Sequence, residues 1–526
     1  MRLLSFRAAL ITSVIFIITI GGLLTHYATQ PMTAEALEDG EWIATSKSAI
    51  DRAVCRWFGL CGIAHVWQKS RWRSVPGETY SPPKKPRNSS GFWDSGDEDE
   101  RLWTTSERIL REIPQYVIDH APYVHLYSGE EFWPSDIGDH LVHTTPHVNY
   151  TPVDVDMRRP NLSNLDNLNK YGIHTFLKSD DNVEQRPEWL GSKYNIPEAS
   201  HEHVPESVRF PGRQGHWRWH PFPGIREDPD FDKWWSPNTT TPDGHKIWQE
   251  SASGQAEARL HDYHSASVFK SDLKKRTTRE PRAGGRSDAP VIMLVVDKGN
   301  DVVDAFWFYF YSYNLGNKVF NIRFGDHVGD WEHTCIRFYK GKPKAIFLSE
   351  HDGGAAYAWE AVEKIGQRPV TYSATGTHAM YATPGVHTYV LPFGLLHDIT
   401  DRGPLWDPVL NMKSYTYDYK KDLLRASTLN PTAPTSWFYL WGHWGDKFYP
   451  LDDPRQYRFA GQYHYVNGPL GPRFKSLDRA LICQIANRKP CHIQYWIQER
   501  IYLSSGPLAG KGDEHDGNSD QYLGKP

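Results

Sequence analysis

Beyond Pro290 the chain breaks into short apolar segments, "VIMLVVD", "DAFWFYFYSY", "WEHTCIRFY", "KAIFLSE", "PVTYSA" and "HTYVLPF", each ended by Gly, Pro or Asp. Runs this short, rich in β-branched and aromatic residues, are strands rather than helices. The pattern predicts a mainly β fold: an antiparallel β-sandwich with peripheral helices and long loops, its core at about residues 290–480. The 21 Trp and 28 Tyr suit such a core. Helical signals are few. "AYAWEAVEKIG", Ala356 to Gly366, has alanines, apolar spacing and a glycine stop, and a short helix capped by Ser135 is expected in the proline-broken stretch after Ile113. There His140, His143 and His147 have nearly helical spacing that Pro146 interrupts, which favours packing or surface roles over metal ligation. "WFYLWGHWGDKFYP" near Trp437 reads as a tight aromatic hairpin, or as a surface that stacks on sugar rings. No repeat of 20 to 50 residues occurs, which disfavours a solenoid or propeller.

The N-terminus sets the compartment. Arg2 and Arg7 precede an uncharged run, Ala8 to Leu24, just long enough to span a bilayer, and the nearest small-x-small pair, Ala34 and Ala36, lies well beyond it. Residues 1–30 therefore read as a signal-anchor with the body lumenal; a cleaved signal peptide, giving a secreted body, is the alternative. A stalk or linker with a cysteine pair follows over 31–110, then a body over 111–510 and a polar tail over 511–526. "SDLKKRTTREPRAGGRSDAP", Ser271 to Pro290, reads as a solvated loop. Asn88, Asn149, Asn161 and Asn238 each open an N-glycosylation sequon. Cys55 with Cys61, and Cys483 with Cys491, are close pairs that suggest two short-loop disulfides in an oxidising compartment. Cys335 is left over, a buried thiol or a thiolate favoured by His333 and Arg337. With 59 basic against 63 acidic residues there is no footprint for nucleic acid.

The densest polar stretch is "FGDHVGDWEH", Phe324 to His333. On a strand starting near Asp330, Asp330, Glu332 and Thr334 share one face and Trp331, His333 and Cys335 the other. The two carboxylates then repel unless a cation or a proton lies between them. Gly325 and Gly329 let the turn fold His327 back, completing an Asp/Glu/His set that suits Ca²⁺, Mg²⁺ or Mn²⁺ better than Zn²⁺. The alternative is an Asp330 that caps the turn and a Glu332 that pairs with Arg323 or Arg337.

"FGDHVGDWEH", "LSEHDGGAAY", "RPVTYSATGTHAMYATPG" and "LLHDITDRGPLWDP", preceded by "DAFWFYFYSYNLGN" and "APYVHLYSGEEFWPSDIGDHL", resemble the fungal vacuolar protein sorting-associated protein 62 family over roughly Ile113 to Gln484. The resemblance implies a glycosylated endomembrane protein linked to vacuolar delivery, without an assigned chemical activity. More distantly, His327 to Glu332 is similar to the H-R-H-D-W-E core of the necrosis-inducing NLP cytolysins, secreted β-sandwiches that bind a divalent cation and membrane glycosphingolipids. Later blocks agree in order: Ser349 to Gly353, then Pro-Val-x-Tyr, then Gly376 to His378. That analogy implies His327, Asp330 and Glu332 as ligands, His378 reaching the ion through a water, and Asn314 where the cytolysins have an aspartate.

Three readings compete. The first is an anchored lumenal module that holds a glycan, lipid headgroup or cargo protein with a Ca²⁺- or Mg²⁺-supported pocket. The second is a hydrolase with Asp330 and Glu332 as acid and base, or with Ser349 as nucleophile beside His351 or His378. "LSEHDGG" lacks Gly-x-Ser-x-Gly, which disfavours it. In the third, the polar residues form an internal hydrogen-bond network.

Overall fold

The computed structural model describes residues 34–66, 90–153, 164–197, 228, 230–237, 284–351, 353–388, 396–484, 491–495 and 497. The apolar run Ala8 to Leu24, the sequons at Asn88, Asn161 and Asn238, residues 271–283 of the basic loop and the tail from 511 lie outside these. No helix among the described residues is long and apolar enough to cross a membrane.

Two compact units divide the chain, Met1–Trp72 with Tyr449–His464, and Arg73–Phe448 with Tyr465–Pro526. In the first, within the segment expected as a stalk, helices α1 (Ala34–Ala44) and α2 (Ala49–Phe58) are followed by Leu60–Cys61, which pairs with Arg458–Phe459. Trp42 is buried, donates its indole N–H to the Tyr449 carbonyl at 2.9 Å and lies under the Arg458 guanidinium. Cys55 and Cys61 are joined.

The second unit is built on one sheet: β1 (Val291–Gly299), β2 (Val302–Asn314), β3 (His327–Tyr339), β4 (Lys342–Glu350), β5 (Gly353–Ala358), β6 (Met412–Asp418), β7 (Leu423–Ala426) and β8 (Ile493–Gln494). Their order across it is β7-β6-β1-β2-β3-β4-β5-β8. A smaller sheet joins Lys364–Ile365, Arg368–Ser373, Tyr123–His125 and Leu405–Trp406 in that order, with Met380–Tyr381 beside Arg368–Ser373.

The mainly β expectation holds, and most strand pairs are antiparallel, but the two larger sheets are mixed. β6 runs parallel to β1, β8 to β5, and Tyr123–His125 to Arg368–Ser373. Side-chain alternation explains why "DAFWFYFYSY" shows no polar face. Phe306, Phe308 and Phe310 enter one core with Trp331, Cys335, Trp437 and Trp444; Ala305, Trp307, Tyr309 and Tyr311 enter a second core with Ile336 of β3 and with Val124, Met380 and Trp406 of the smaller sheet. A strand covered on both faces reads as a continuous apolar run.

Local expectations change with context. Ala356 to Gly366 is not a helix: Ala356–Ala358 belong to β5, paired to β4, and a single 3-10 turn, Trp359–Ala361, leads into Lys364–Ile365. Alanine's helix propensity is a few tenths of a kcal/mol, on the order of 0.5 per residue against β-branched types, less than a ladder partner supplies. Asp136, not Ser135, caps the helix Ile137–Val142, accepting from the Gly138 N–H at 2.7 Å; Ser135 instead bonds Ser312. His140, within that helix, is buried. The Trp437 stretch is no hairpin: Ser436–Tyr439 form a 3-10 turn, Trp437 and Trp444 fill the first core, and Trp441 is exposed. Cys483 and Cys491 are joined just ahead of β8, and Cys335 is free and buried.

Candidate functional site

β3 begins at His327, three residues before the expected start, and pairs with β2 so that Asp330 lies opposite Tyr311 and Glu332 opposite Tyr309. Asp330, Glu332 and Thr334 therefore point to the side of the smaller sheet. Gly329, at φ +70°, lets the chain from Trp444 cross so closely that a Cβ would collide with the Trp444 carbonyl oxygen.

Asp330 neither caps a turn nor pairs with an arginine. Its Oδ2 faces His378 Nδ1 at 2.9 Å, and His378 Nε2 faces the Phe132 carbonyl at 3.0 Å. Both ring nitrogens meet acceptors, so whichever carries a proton has a partner to donate to. Tyr311 stacks on the imidazole with centroids 3.7 Å apart. Glu130 lies next to this ring, 3.9 Å from Nε2, and its carboxylate accepts from the backbone N–H of Glu131, Phe132 and Gly376. Burial raises the Glu130 carboxyl, against the pull of His378 and those N–H donors.

Glu332 accepts the Ser349 hydroxyl, whose oxygen in turn accepts the His333 N–H at 2.7 Å. Burial, and next the charge of Asp330, push the Glu332 carboxyl up to about 8. Ser349 thus bonds neither His351 nor His378, and no nucleophile–histidine pair forms there. His351 instead meets Asp398 at 2.8 Å. Burial alone would depress this imidazole, but the Asp398 hydrogen bond and charge, with Glu332 and Asp330 beyond, raise it to about 9. Asp398 is buried, yet hydrogen bonds from His351, Tyr381 and Thr377 hold its carboxyl below the usual range. Asn317 donates to it as well, at 3.2 Å. His351 and His378 both sit in the left-handed backbone region, φ +53° and +56°, which costs on the order of 1–2 kcal/mol each.

The remaining candidates are otherwise engaged. His327 Nδ1 meets the Gly329 carbonyl at 2.6 Å, and burial lowers the imidazole despite the Asp330 charge. Asn314 donates to the Gly325 carbonyl at 2.8 Å. Arg323 bonds the Gly316 carbonyl, and Arg337 forms a two-pronged pair with Asp304. Burial pushes the Cys335 thiol far up, against thiolate chemistry. Asn149, at φ +53°, accepts from Lys447. As placed, His327, Asp330, Glu332, His378 and Asn314 bond one another, Ser349 or the backbone. Among the described residues no group of three or more His, Cys, Asp or Glu side chains is disposed to hold a metal ion.

Beside these networks opens a cleft of about 270 Å³, lined by Leu315, Gly316, Asn317, Lys318, Arg323, Thr375, Gly376 and His397. Lys318 and Arg323 come from a two-residue hairpin, Lys318–Val319 with Ile322–Arg323. Its tip holds Phe320 and Asn321 at positive φ, and Phe320 is 83% exposed. Residue-by-residue reading missed Glu130, Asp398, Lys318 and His397. Glu130 and Asp398 lie in "SGEEFWPSDIGD" and "LLHDITDRG", blocks that carried the family resemblance, which was the available signal.

Residues 300–419 match the family described as vacuolar protein sorting-associated protein 62. Over 405 residues the chain is 36% identical to the vacuolar protein sorting-associated protein TDA6 of Saccharomyces cerevisiae, covering 72% of this chain and 71% of that protein. Over 402 residues it is 31% identical to vacuolar protein sorting-associated protein 62 of the same yeast, covering 71% and 68%. The chain belongs to the vacuolar protein sorting-associated protein 62 family. The crystal structure of the non-toxic HaNLP3 protein aligns at 16% identity over 26% of this chain and 56% of that one, with a TM-score of 0.16, and carries no argument about the site.

Proposed function

We propose that this chain is a lumenal, membrane-anchored glycoprotein of the endomembrane and vacuolar system that acts in vacuolar protein delivery as a binding module, not as an enzyme. The names of its relatives support the pathway. The observation that carries the binding reading is the hairpin Lys318–Arg323, which holds an exposed phenylalanine at its tip in a costly backbone conformation and whose Lys318 and Arg323 edge a cleft together with His397. A bulky residue at positive φ is retained where the surroundings over-determine it, commonly at ligand contacts. Basic groups around an aromatic tip suit an acidic, partly apolar segment of a cargo polypeptide. A glycan or a lipid headgroup is the competing ligand. Exchange of Lys318 and Arg323 for Glu, or of Phe320 for Ser, should leave abundance and melting temperature unchanged and cause cargo to be secreted instead of delivered. Wild-type delivery by both variants would overturn the cleft as the binding face; binding of arrayed glycans or headgroup vesicles, but not of cargo peptides, would reassign the ligand.

A second reading keeps a Ca²⁺ or Mg²⁺ ion at Asp330 and Glu332 with His327. What favours it is the raised Glu332 carboxyl: two buried neighbouring carboxylates repel, and a cation can take the place of the proton. Binding would require Glu332 to leave Ser349. Such an ion, bound only by the folded state, raises the melting temperature by mass action, a chelator lowers it, and Glu332→Gln abolishes the response. A melting temperature indifferent to both cations and to chelation leaves the hydrogen-bond network as the full account.

A further inference from the structure

In the first unit α2 is built inside out. Ile50, Ala53, Val54, Trp57 and Phe58 recur at i, i+3, i+4, i+7 and i+8, the spacing of one apolar helix face, which in a folded domain normally turns to the core. Here that stripe faces outward. Ile50 is 77% exposed, Trp57 and Phe58 are each 73% exposed, and Leu60 just beyond is exposed as well. The residues turned inward are Cys55, which is buried, and Asp51, which accepts from the Ser46 hydroxyl and the Gly62 N–H at 2.9 and 2.8 Å. Each exposed aromatic forgoes about 1.5–3 kcal/mol of burial, so four large apolar side chains on one surface mark a partner.

The display is rigid. Ser48 caps the start of the helix, Gly59 ends it in the left-handed conformation, and the Cys55–Cys61 bond closes a ring around Arg56-Trp57-Phe58-Gly59-Leu60. Little conformational freedom remains to be lost on binding. On this helix and the turn before it the outward charges are basic, Lys47 and Arg56, while the acid is turned in. Tryptophan and phenylalanine beside lysine and arginine, on a helix lying flat, are the chemistry of a bilayer interface.

Position selects the bilayer over a protein partner. Nine residues separate Leu24, the end of the apolar run, from α1, a tether of at most about 35 Å. We infer that the face Ile50–Trp57–Phe58–Leu60 seats in the interfacial layer of the membrane, as a second contact beside the N-terminal run. This rests on the anchor reading, which supplies the position that selects the bilayer; a cleaved chain would bind the same surface more weakly through this face alone.

The test reconstitutes the full chain in vesicles of mixed neutral and anionic phospholipid that carry a photoactivatable acyl chain, and maps the lipid adducts by mass spectrometry. Adducts are expected on the disulfide-closed peptide around Trp57. The double variant Trp57→Asp, Phe58→Asp should lose them by about tenfold or more, with the melting temperature and any adducts on Ala8 to Leu24 unchanged. Adducts confined to Ala8 to Leu24 would overturn the proposal, as would undiminished adducts on the disulfide-closed peptide in the double variant. Adducts at Trp57 without any at Ala8 to Leu24 would uphold it while refuting the retained anchor.

Discussion

β3 buries charge at both of its ends, and the two ends treat it differently. At the far end Arg337 pairs with Asp304, its register partner on β2, both fully buried. The guanidinium also donates to the carbonyls of Trp235 and Ala480, while Lys298 and Arg479 donate to the carbonyls of Leu477 and Ile482. Burial depresses Lys298 and Arg479, and Asp304 overcomes the same effect at Arg337. Charge here ties one sheet to its cover. At the near end the charged groups are histidines and carboxylates that join separate loops, around Glu130, Ser349, His378 and Asp398, next to a cleft. Two of them, Glu332 and His351, are pushed up to about 8 and about 9. The far end is a fixed brace; the near end ties separate loops together beside the cleft proposed as the binding face.

The largest expected effect lies at the brace. Arg337→Met strands a buried carboxylate and should cost about 3–5 kcal/mol, a large part of a domain's stability, read as a collapse of the urea midpoint. Adding Asp304→Leu should restore much of it. A loss below about 1 kcal/mol would remove the distinction between the two ends. His378→Ala should cost less, about 1–3 kcal/mol, by leaving Asp330 and the Phe132 carbonyl without their donor. Hydrogen exchange should then rise in the loops of residues 128–132 and 374–378 and stay slow in β2; a rise throughout β2 would make His378 part of the brace.

The smallest effect is a change of slope with pH. Glu332 is raised from 4.5 to about 8, so the folded state holds a proton that the unfolded state has lost, and stability should fall as pH climbs across that window. His351, raised from 6.5 to about 9, adds stability fully present below 6.5 and lost as pH rises through 9. In Glu332→Gln the first decline should vanish and only the later one remain, as followed by thermal melts from pH 5 to about pH 9. An unchanged slope would mean that Glu332 is ionised throughout.

The strands and the shared face of Asp330 and Glu332 were legible because side-chain alternation is local. β5 was not, since its alanines carry helix propensity and only its pairing with β4 decides the matter. The near-end frame was legible in part. The carboxylates are adjacent in sequence, but His378 meets Asp330 across 48 residues and Phe132 across 246, and no periodicity reports such pairings. The parallel joins of β6 to β1 and of β8 to β5 are equally silent, because they depend on where long connections return.

β8 has a consequence for the chain's life before it is folded. It is two residues long, pairs with Ala356 and Tyr357, and follows directly on the Cys483–Cys491 bond. Without it β5 is an open sheet edge rich in alanine and glycine, a surface on which another chain can add a strand. The bond holds that strap close to the edge, so the partial cover it gives over Ala356 and Tyr357 is expected to depend on an oxidising compartment. A copy stranded in a reducing compartment would keep its strands and lose that cover, and should accumulate as aggregates instead of as a misplaced but soluble protein.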